Sequence, residues 1–91
     1  MEYEWDAEKA AQNLAKHNVD FSGARSVFKD IDAQVAPDNR RDYREPRFNI
    51  IAKDAAGDIL TVTFTIRGDV VRLISARKAS RDERKRYHGQ A

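Results

Sequence analysis

Three arginines spaced five residues apart, Arg67, Arg72 and Arg77, are the side chains in this sequence best suited to bind a phosphate. A guanidinium group is planar and always charged, and its fork of N–H donors meets two oxygens of one phosphate at once. Next to a reacting phosphate, such groups would stabilise the negative charge that develops in the transition state. The alternative is that all three are solvated arginines at the ends of strands.

The turn between the two flanking strands decides which of these arginines share a face. If Gly68–Asp69 is a two-residue hairpin turn, Thr65 lies opposite Arg72. Side chains alternate between faces along a strand, so Arg67 and Arg72 then lie on the same face. In this register Arg77 lies on the other face, unless a bulge or the strand end changes its direction.

Two residues are candidate proton carriers, His17 and Tyr87. A histidine side chain has an ordinary pKa of about 6.5, which suits proton transfer at neutral pH. His17 also lies at the end of a predicted helix, where an imidazolium ion interacts favourably with the helix dipole. Tyr87 could stack on a nucleobase or donate a proton, or it could dock the last helix on the sheet. The sequence leaves both alternatives open.

The charge of the chain is unevenly distributed, although its net value is only +2. Residues 67–91 contain eight Lys or Arg and three Asp or Glu, whereas residues 1–66 have a net charge of −3. This asymmetry predicts that the basic end meets a polyanion. Arg47 and Lys53 are candidate phosphate contacts or solvated edge residues. The run Arg84-Lys85-Arg86 is a further contact or a solvated helix face.

The composition excludes several kinds of site. Because the chain has no cysteine, it has no disulfide, thiol nucleophile or thiolate metal site. Two histidines are too few for an ordinary zinc site, so neither a metal nor a cofactor is expected. No apolar run approaches the roughly 20 residues of a membrane span, and the acidic N-terminus is unlike a signal peptide. A cytoplasmic protein with one domain, residues 1–91, is expected.

Local signals predict three helices. Asp6 can cap a first helix, and Asn18 can end it because asparagine tolerates the left-handed conformation. A second helix is predicted after Asp20, where apolar residues recur with helical spacing. Ser80 and Glu83 have the spacing of a capping box, which begins a short C-terminal helix with few apolar residues.

The middle of the chain predicts a meander of strands. A short strand at 33–36 and a mobile loop at 37–46 precede strands at 47–53, 60–66 and 70–76. Helices on one face of such a sheet make an α+β domain.

The strand at 60–66 alternates most clearly between apolar residues and threonines. The residues expected to face the helices are Leu60, Val62, Phe64 and Ile66. The residues on the opposite face, here called the threonine face, are Thr61, Thr63 and Thr65. We expect this face to be open, and an open polar face bordered by arginines suits a nucleic-acid ligand.

Several blocks of residues, taken together in their order and spacing, resemble the BrnT family over nearly the whole chain. The blocks include Glu4-Trp5-Asp6, Lys16-His17, Val27-Phe28, Leu60-Thr61-Val62, Thr65-Ile66-Arg67-Gly68, residues 72–79, Glu83-Arg84 and Tyr87. Asn18 stands where such proteins often carry glycine, and both residues suit the end of a helix. The segment 31–46 matches weakly.

The resemblance implies a RelE-like α+β fold, with two N-terminal helices packed on a small antiparallel sheet and a short C-terminal helix. It implies a metal-independent endoribonuclease, the toxic half of a type II toxin–antitoxin pair. It also implies a BrnA-like antitoxin, in a hetero-oligomeric complex that binds promoter DNA through the antitoxin.

In metal-free RNA cleavage the 2′-hydroxyl attacks the adjacent phosphate, with cations, a proton acceptor and a proton donor. The expected catalytic residues are Arg67, Arg72, Arg77, His17 and Tyr87. The expected RNA-binding residues are Arg47, Lys53, Lys78 and Arg84. Because the sequence contains no unambiguous general base, the alternative is a non-catalytic module that binds nucleic acid or protein.

Overall fold

The computed structural model describes residues 1–41 and 43–89; Asp42, inside the predicted loop, and the last two residues lie outside this description. The elements, in chain order, are β1 (Glu2–Glu4), α1 (Ala7–His17), α2 (Phe21–Ala24), a 3₁₀ helix (Arg25–Lys29), β2 (Gln34–Pro37), β3 (Phe48–Lys53), β4 (Ile59–Arg67), β5 (Val70–Lys78) and α3 (Arg81–His88). Within these described ranges, no helix is long and apolar enough to cross a membrane.

The described strands form a single sheet of five, in the order β1-β5-β4-β3-β2. Strand β1 runs parallel to β5, and the other neighbours are antiparallel. The predicted α+β class is confirmed, but the prediction of a small antiparallel sheet is wrong because the sheet is larger and mixed. Strand β1 was missed because it has only three residues and pairs with a strand far away in the sequence.

The caps of the helices lie where local signals predicted them. The Asp6 side chain accepts hydrogen bonds from two backbone N–H groups at the start of α1, and Asn18 ends that helix with φ 57°. The prediction of two N-terminal helices needs correction, because the second is a single α-turn that continues as a 3₁₀ helix. Gly23 disfavours a longer α-helix, and the Ser26 hydroxyl donates to the Gly23 carbonyl oxygen.

The hydrophobic core lies between the N-terminal helices and one face of the sheet. Val62 and Phe64 are buried there as predicted, and the Phe64 ring packs edge-on against Phe28 at 5.0 Å between centroids. Asn13 is also buried; its side chain bonds the backbone N–H and C=O of Ala76, which joins α1 to β5. The prediction for Ile66 is wrong: it lies near the hairpin end of β4 and is 55% exposed.

The threonine face is covered, so the expectation of an open face is wrong. Thr61, Thr63 and Thr65 are all buried. Helix α3 covers one end of the face, where Tyr87 packs with Ile51. The loop between β2 and β3 covers the other end, and the Thr65 hydroxyl donates to a backbone oxygen of that loop at 2.6 Å. The short helix α3 and the loop together therefore cover the three threonines.

Candidate active site

All three candidate arginines lie on the threonine face, and Arg77 does so because of a bulge in β5. The hairpin has the predicted register, with Thr65 opposite Arg72. Farther along, Thr63 pairs with Ser75 and Phe64 with Leu73, so β5 contains one extra residue between these pairs. The extra residue shifts the alternation, and Arg77 lies opposite Thr61. Of the two directions left open for Arg77, the structure shows the one that depends on a bulge.

Glu45 lies among the positive charges at the loop end of this face. Arg67 donates to both of its carboxylate oxygens, from Nη2 at 2.9 Å and from Nε at 3.2 Å. These hydrogen bonds hold the pKa of Glu45 below its usual 4.5, and the charges of Arg47 and Arg72 act in the same direction. Arg67 therefore binds this carboxylate, and Arg47 and Arg72 lie close enough for their charges to act on it; the three are here called the arginine cluster.

Arg72 is less exposed than Arg67. Its Nη1 donates to Glu4 at 2.8 Å, and the two residues are paired across β1 and β5. The side chain of Arg72 is 24% exposed, compared with 50% for Arg67. An arginine held in this way keeps its guanidinium group in one place before any ligand binds.

Arg77 forms an ion pair with a residue of α3. Its guanidinium group donates to both oxygens of Glu83, at 2.6 and 3.0 Å, and these bonds lower the pKa of Glu83 to about 2. Glu83 also accepts from the backbone N–H of Ser80 and completes the predicted capping box. The Glu83 side chain is only 12% exposed, so this pair holds α3 on the sheet.

The two candidate proton carriers lie away from the arginine cluster. His17 ends α1, which packs on the opposite face of the sheet. Tyr87 is buried, and its hydroxyl donates to Asp30 at 2.5 Å. That hydrogen bond raises the pKa of Tyr87 to about 12, which keeps its proton in place. The structure thus places Tyr87 as the residue that docks α3.

The four predicted RNA contacts are dispersed. Arg47 belongs to the arginine cluster, whereas Lys53 lies exposed at the far end of β3. Lys78 pairs with Leu60 and so follows the alternation of the helix-facing side. Arg84 is exposed on α3. Over residues 1–41 and 43–89, no group of three or more His, Cys, Asp or Glu side chains could hold a metal ion.

Sequence reasoning missed the carboxylates that contact the arginines. Glu4 is 68 positions from Arg72, and Glu45 is 22 positions from Arg67, so no local pattern pairs them. One signal was present for β1: Tyr3 alternates with the glutamates on either side, which is the period of a strand. For Glu45 the only signal was its position in a loop rich in arginine.

Comparisons with known proteins identify the family of this chain. The family model of the ribonuclease toxin BrnT, of type II toxin–antitoxin systems, matches residues 5–83.

This chain belongs to the BrnT family.

The resemblance seen in the sequence is therefore confirmed. A similar solved structure is the 1.1 Å crystal structure of the Brucella abortus ribonuclease toxin BrnT. It is 27% identical, with a TM-score of 0.68, and the match covers 89% of this chain and 99% of that chain. No curated protein matches this chain. As a BrnT-family toxin of a type II system, the protein has RNA as its substrate and an antitoxin as its partner.

Proposed function

We propose that this BrnT-family protein is a metal-independent endoribonuclease whose active site is the arginine cluster around Glu45. The observation that carries the proposal is that Arg67 donates hydrogen bonds to both carboxylate oxygens of Glu45. The positive charges of Arg47 and Arg72 also favour the ionised form of this carboxylate. A guanidinium group that binds a carboxylate through two hydrogen bonds can bind a phosphate in the same way. The three cations then neutralise the charge of the transition state.

In this mechanism the phosphate of RNA replaces Glu45 on Arg67, and the displaced carboxylate becomes the proton acceptor. Glu45 takes the proton of the 2′-hydroxyl as the 2′-oxygen forms a bond to phosphorus. The bond from phosphorus to the 5′-oxygen breaks, and that oxygen takes a proton from solvent water. Glu45 then gives its proton to the hydroxide that remains. The products are a 2′,3′-cyclic phosphate and a 5′-hydroxyl, and Glu45 is again a carboxylate.

Glu45 is a better candidate for this step than His17 or Tyr87. It lines a cleft of about 310 Å³ beside the arginine cluster, whereas His17 lies across the sheet and Tyr87 is bonded to Asp30. In the free protein, the lowered pKa of Glu45 keeps its carboxylate ionised at physiological pH, so Glu45 is deprotonated when RNA binds.

The setting of this activity follows the family. We propose a cytoplasmic RelE-like toxin, neutralised by a BrnA-like antitoxin in a hetero-oligomeric complex that binds promoter DNA through the antitoxin. The antitoxin would act by covering the arginine cluster, because occupancy of these cations is enough to exclude RNA.

The direct test of this function is incubation of the purified, antitoxin-free chain with RNA in excess EDTA. We expect cleavage, with 2′,3′-cyclic phosphate and 5′-hydroxyl ends identified by mass spectrometry. RNA that is bound but left intact, alone or on ribosomes, would support the non-catalytic binding module instead. Cleavage that needs a metal ion, or that leaves 5′-phosphate ends, would contradict the 2′-hydroxyl mechanism.

The pH dependence of cleavage tests the assignment of Glu45. Because the base must be deprotonated and its pKa lies below 4.5, kcat/KM should be flat from about pH 8 to about pH 5 and fall only below that range. Glu45→Gln should lower the rate about 10²–10⁴-fold without weakening RNA binding. The matched control is Glu8→Gln, which removes an exposed carboxylate of α1, on the opposite face of the sheet, and should keep the rate. A profile that rises between about pH 5.5 and 7.5 would point to a histidine base and overturn the assignment.

A further inference from the structure

The loop between β2 and β3 is fastened at both ends beside the arginine cluster. At its start, Asp38 is buried; its carboxylate accepts two hydrogen bonds from the Arg40 side chain, which lower its pKa to about 2. The Asp38 backbone N–H donates to the Arg47 carbonyl oxygen at 2.8 Å, which closes the loop on itself. At its end, Thr65 donates to the carbonyl oxygen of Pro46. Tyr43 and Arg47 are therefore presented at a defined place on the sheet.

One pair of side chains in this loop is stacked face to face. The guanidinium carbon of Arg47 lies 4.1 Å from the centre of the Tyr43 ring, which is the geometry of a cation–π stack. The Tyr43 hydroxyl contacts Asp38 at 3.4 Å, so the ring is held from its far end as well. Both residues line the cleft of about 310 Å³. The Nε of Arg47 is buried without a hydrogen-bond partner among the described residues.

The stack lies on the same face of the sheet as the other two arginines of the cluster, Arg67 and Arg72. Arg47 precedes β3 and follows the alternation of Asn49, so it lies on the threonine face next to Thr65. Thr65 in turn lies opposite Arg72 on β5. The backbones at Arg47 and Arg72 are thus two strand spacings apart, about 10 Å, so one nucleotide is long enough to contact side chains from both.

We propose that Tyr43 and Arg47 form the nucleobase platform of this active site, and that the substrate is single-stranded RNA. The inference rests on the proposed function: the phosphate binds Arg67 and Arg72 while an adjacent base stacks on Tyr43 and Arg47 in the cleft. Aromatic rings and guanidinium planes are the surfaces on which splayed-out bases stack. A base inside a duplex is already stacked on both faces, so it cannot use this platform.

Binding measurements isolate the platform from the chemistry. The probes are labelled single-stranded 2′-O-methyl RNA, which cannot form a cyclic phosphate, and copies that carry one abasic position each. We expect Tyr43→Leu, which keeps an apolar side chain but removes the ring, to weaken binding about 5- to 150-fold. Tyr43→Phe keeps the ring and should bind like the parent.

The matched control is Arg44→Ala, which removes an exposed cation from the same loop. It should weaken binding of every probe equally and in a salt-dependent way. Tyr43→Leu, in contrast, should weaken binding of the intact probe but not of the probe that lacks one particular base. That probe has no base to stack on Tyr43, so loss of the ring no longer lowers its affinity. Thermal unfolding of each variant shows that the fold is retained.

The other outcomes show separately whether the platform or the ribonuclease mechanism fails. If Tyr43→Leu affects all probes as Arg44→Ala does, or if duplex RNA binds as tightly as single strands, the platform is absent. A protein that shows the abasic-dependent loss but leaves unmodified RNA intact overturns the ribonuclease mechanism and keeps the platform. A protein that binds none of the probes overturns both.

Discussion

Arg67→Ala and Arg72→Ala should each abolish the growth arrest that the toxin causes when it is expressed without its antitoxin. A phosphorane carries more negative charge on its equatorial oxygens than the ground-state phosphate does, so a guanidinium aimed at those oxygens lowers the barrier. Removal of one preorganised donor of this kind costs about 10²–10³ in rate. Lysine at either position should rescue only partly, because a point charge cannot make the two-oxygen contact.

The fold and antitoxin binding should survive both changes. The Arg67–Glu45 pair is exposed, and such pairs contribute little to stability because water and salt screen them. Arg84→Ala, on the exposed side of α3, is the matched control; it should weaken RNA binding and spare most of the chemistry. Arg77→Ala is a poor test, because it leaves the nearly buried Glu83 without its partner. If both alanine variants arrest growth as strongly as the parent at matched expression, the active face lies elsewhere.

Phe64→Ala should lower the free energy of unfolding by about 3–5 kcal/mol, a large part of the roughly 5–15 kcal/mol available to a small domain. Phe64 is 5% exposed and contacts the rings of Phe28 and Phe48, so its removal leaves a cavity that the surrounding rings cannot fill. Urea unfolding followed by circular dichroism measures the change.

The control for this substitution lies on the same strand. Ile66 is 55% exposed, so Ile66→Ala should change the free energy of unfolding by no more than about 0.5 kcal/mol. The sequence pattern alone gave both residues the same role. Equal losses from the two variants would mean that the helix-facing side of β4 is assigned wrongly.

The features that the sequence predicted well are those with local physical causes. The cap at Asp6, the left-handed stop at Asn18 and the Ser80–Glu83 capping box each involve residues within one helical turn. The hairpin register followed from a turn of two residues at Gly68–Asp69, because loop length fixes the pairing of the strands. That register placed Arg67 and Arg72 correctly on one face.

The features that were missed depend on contacts between distant parts of the chain. The bulge that redirects Arg77 arises from the packing of β5 against β4 and has no signature in its own residues. The burial of the threonines depends on α3, whose sequence showed few apolar residues but which is held by Tyr87 and Glu83. The carboxylate at the centre of the site, Glu45, could be found only once the loop was placed.

The measurement that tests the central claim most directly is single-turnover RNA cleavage by Arg72→Ala at saturating protein, compared with its dissociation constant for uncleavable RNA. If the arginine cluster stabilises the transition state, the saturated rate falls about 10²–10³-fold while the dissociation constant changes only a few-fold. If the saturated rate equals that of the parent and only the dissociation constant rises, the cluster merely holds RNA and the bond is broken elsewhere.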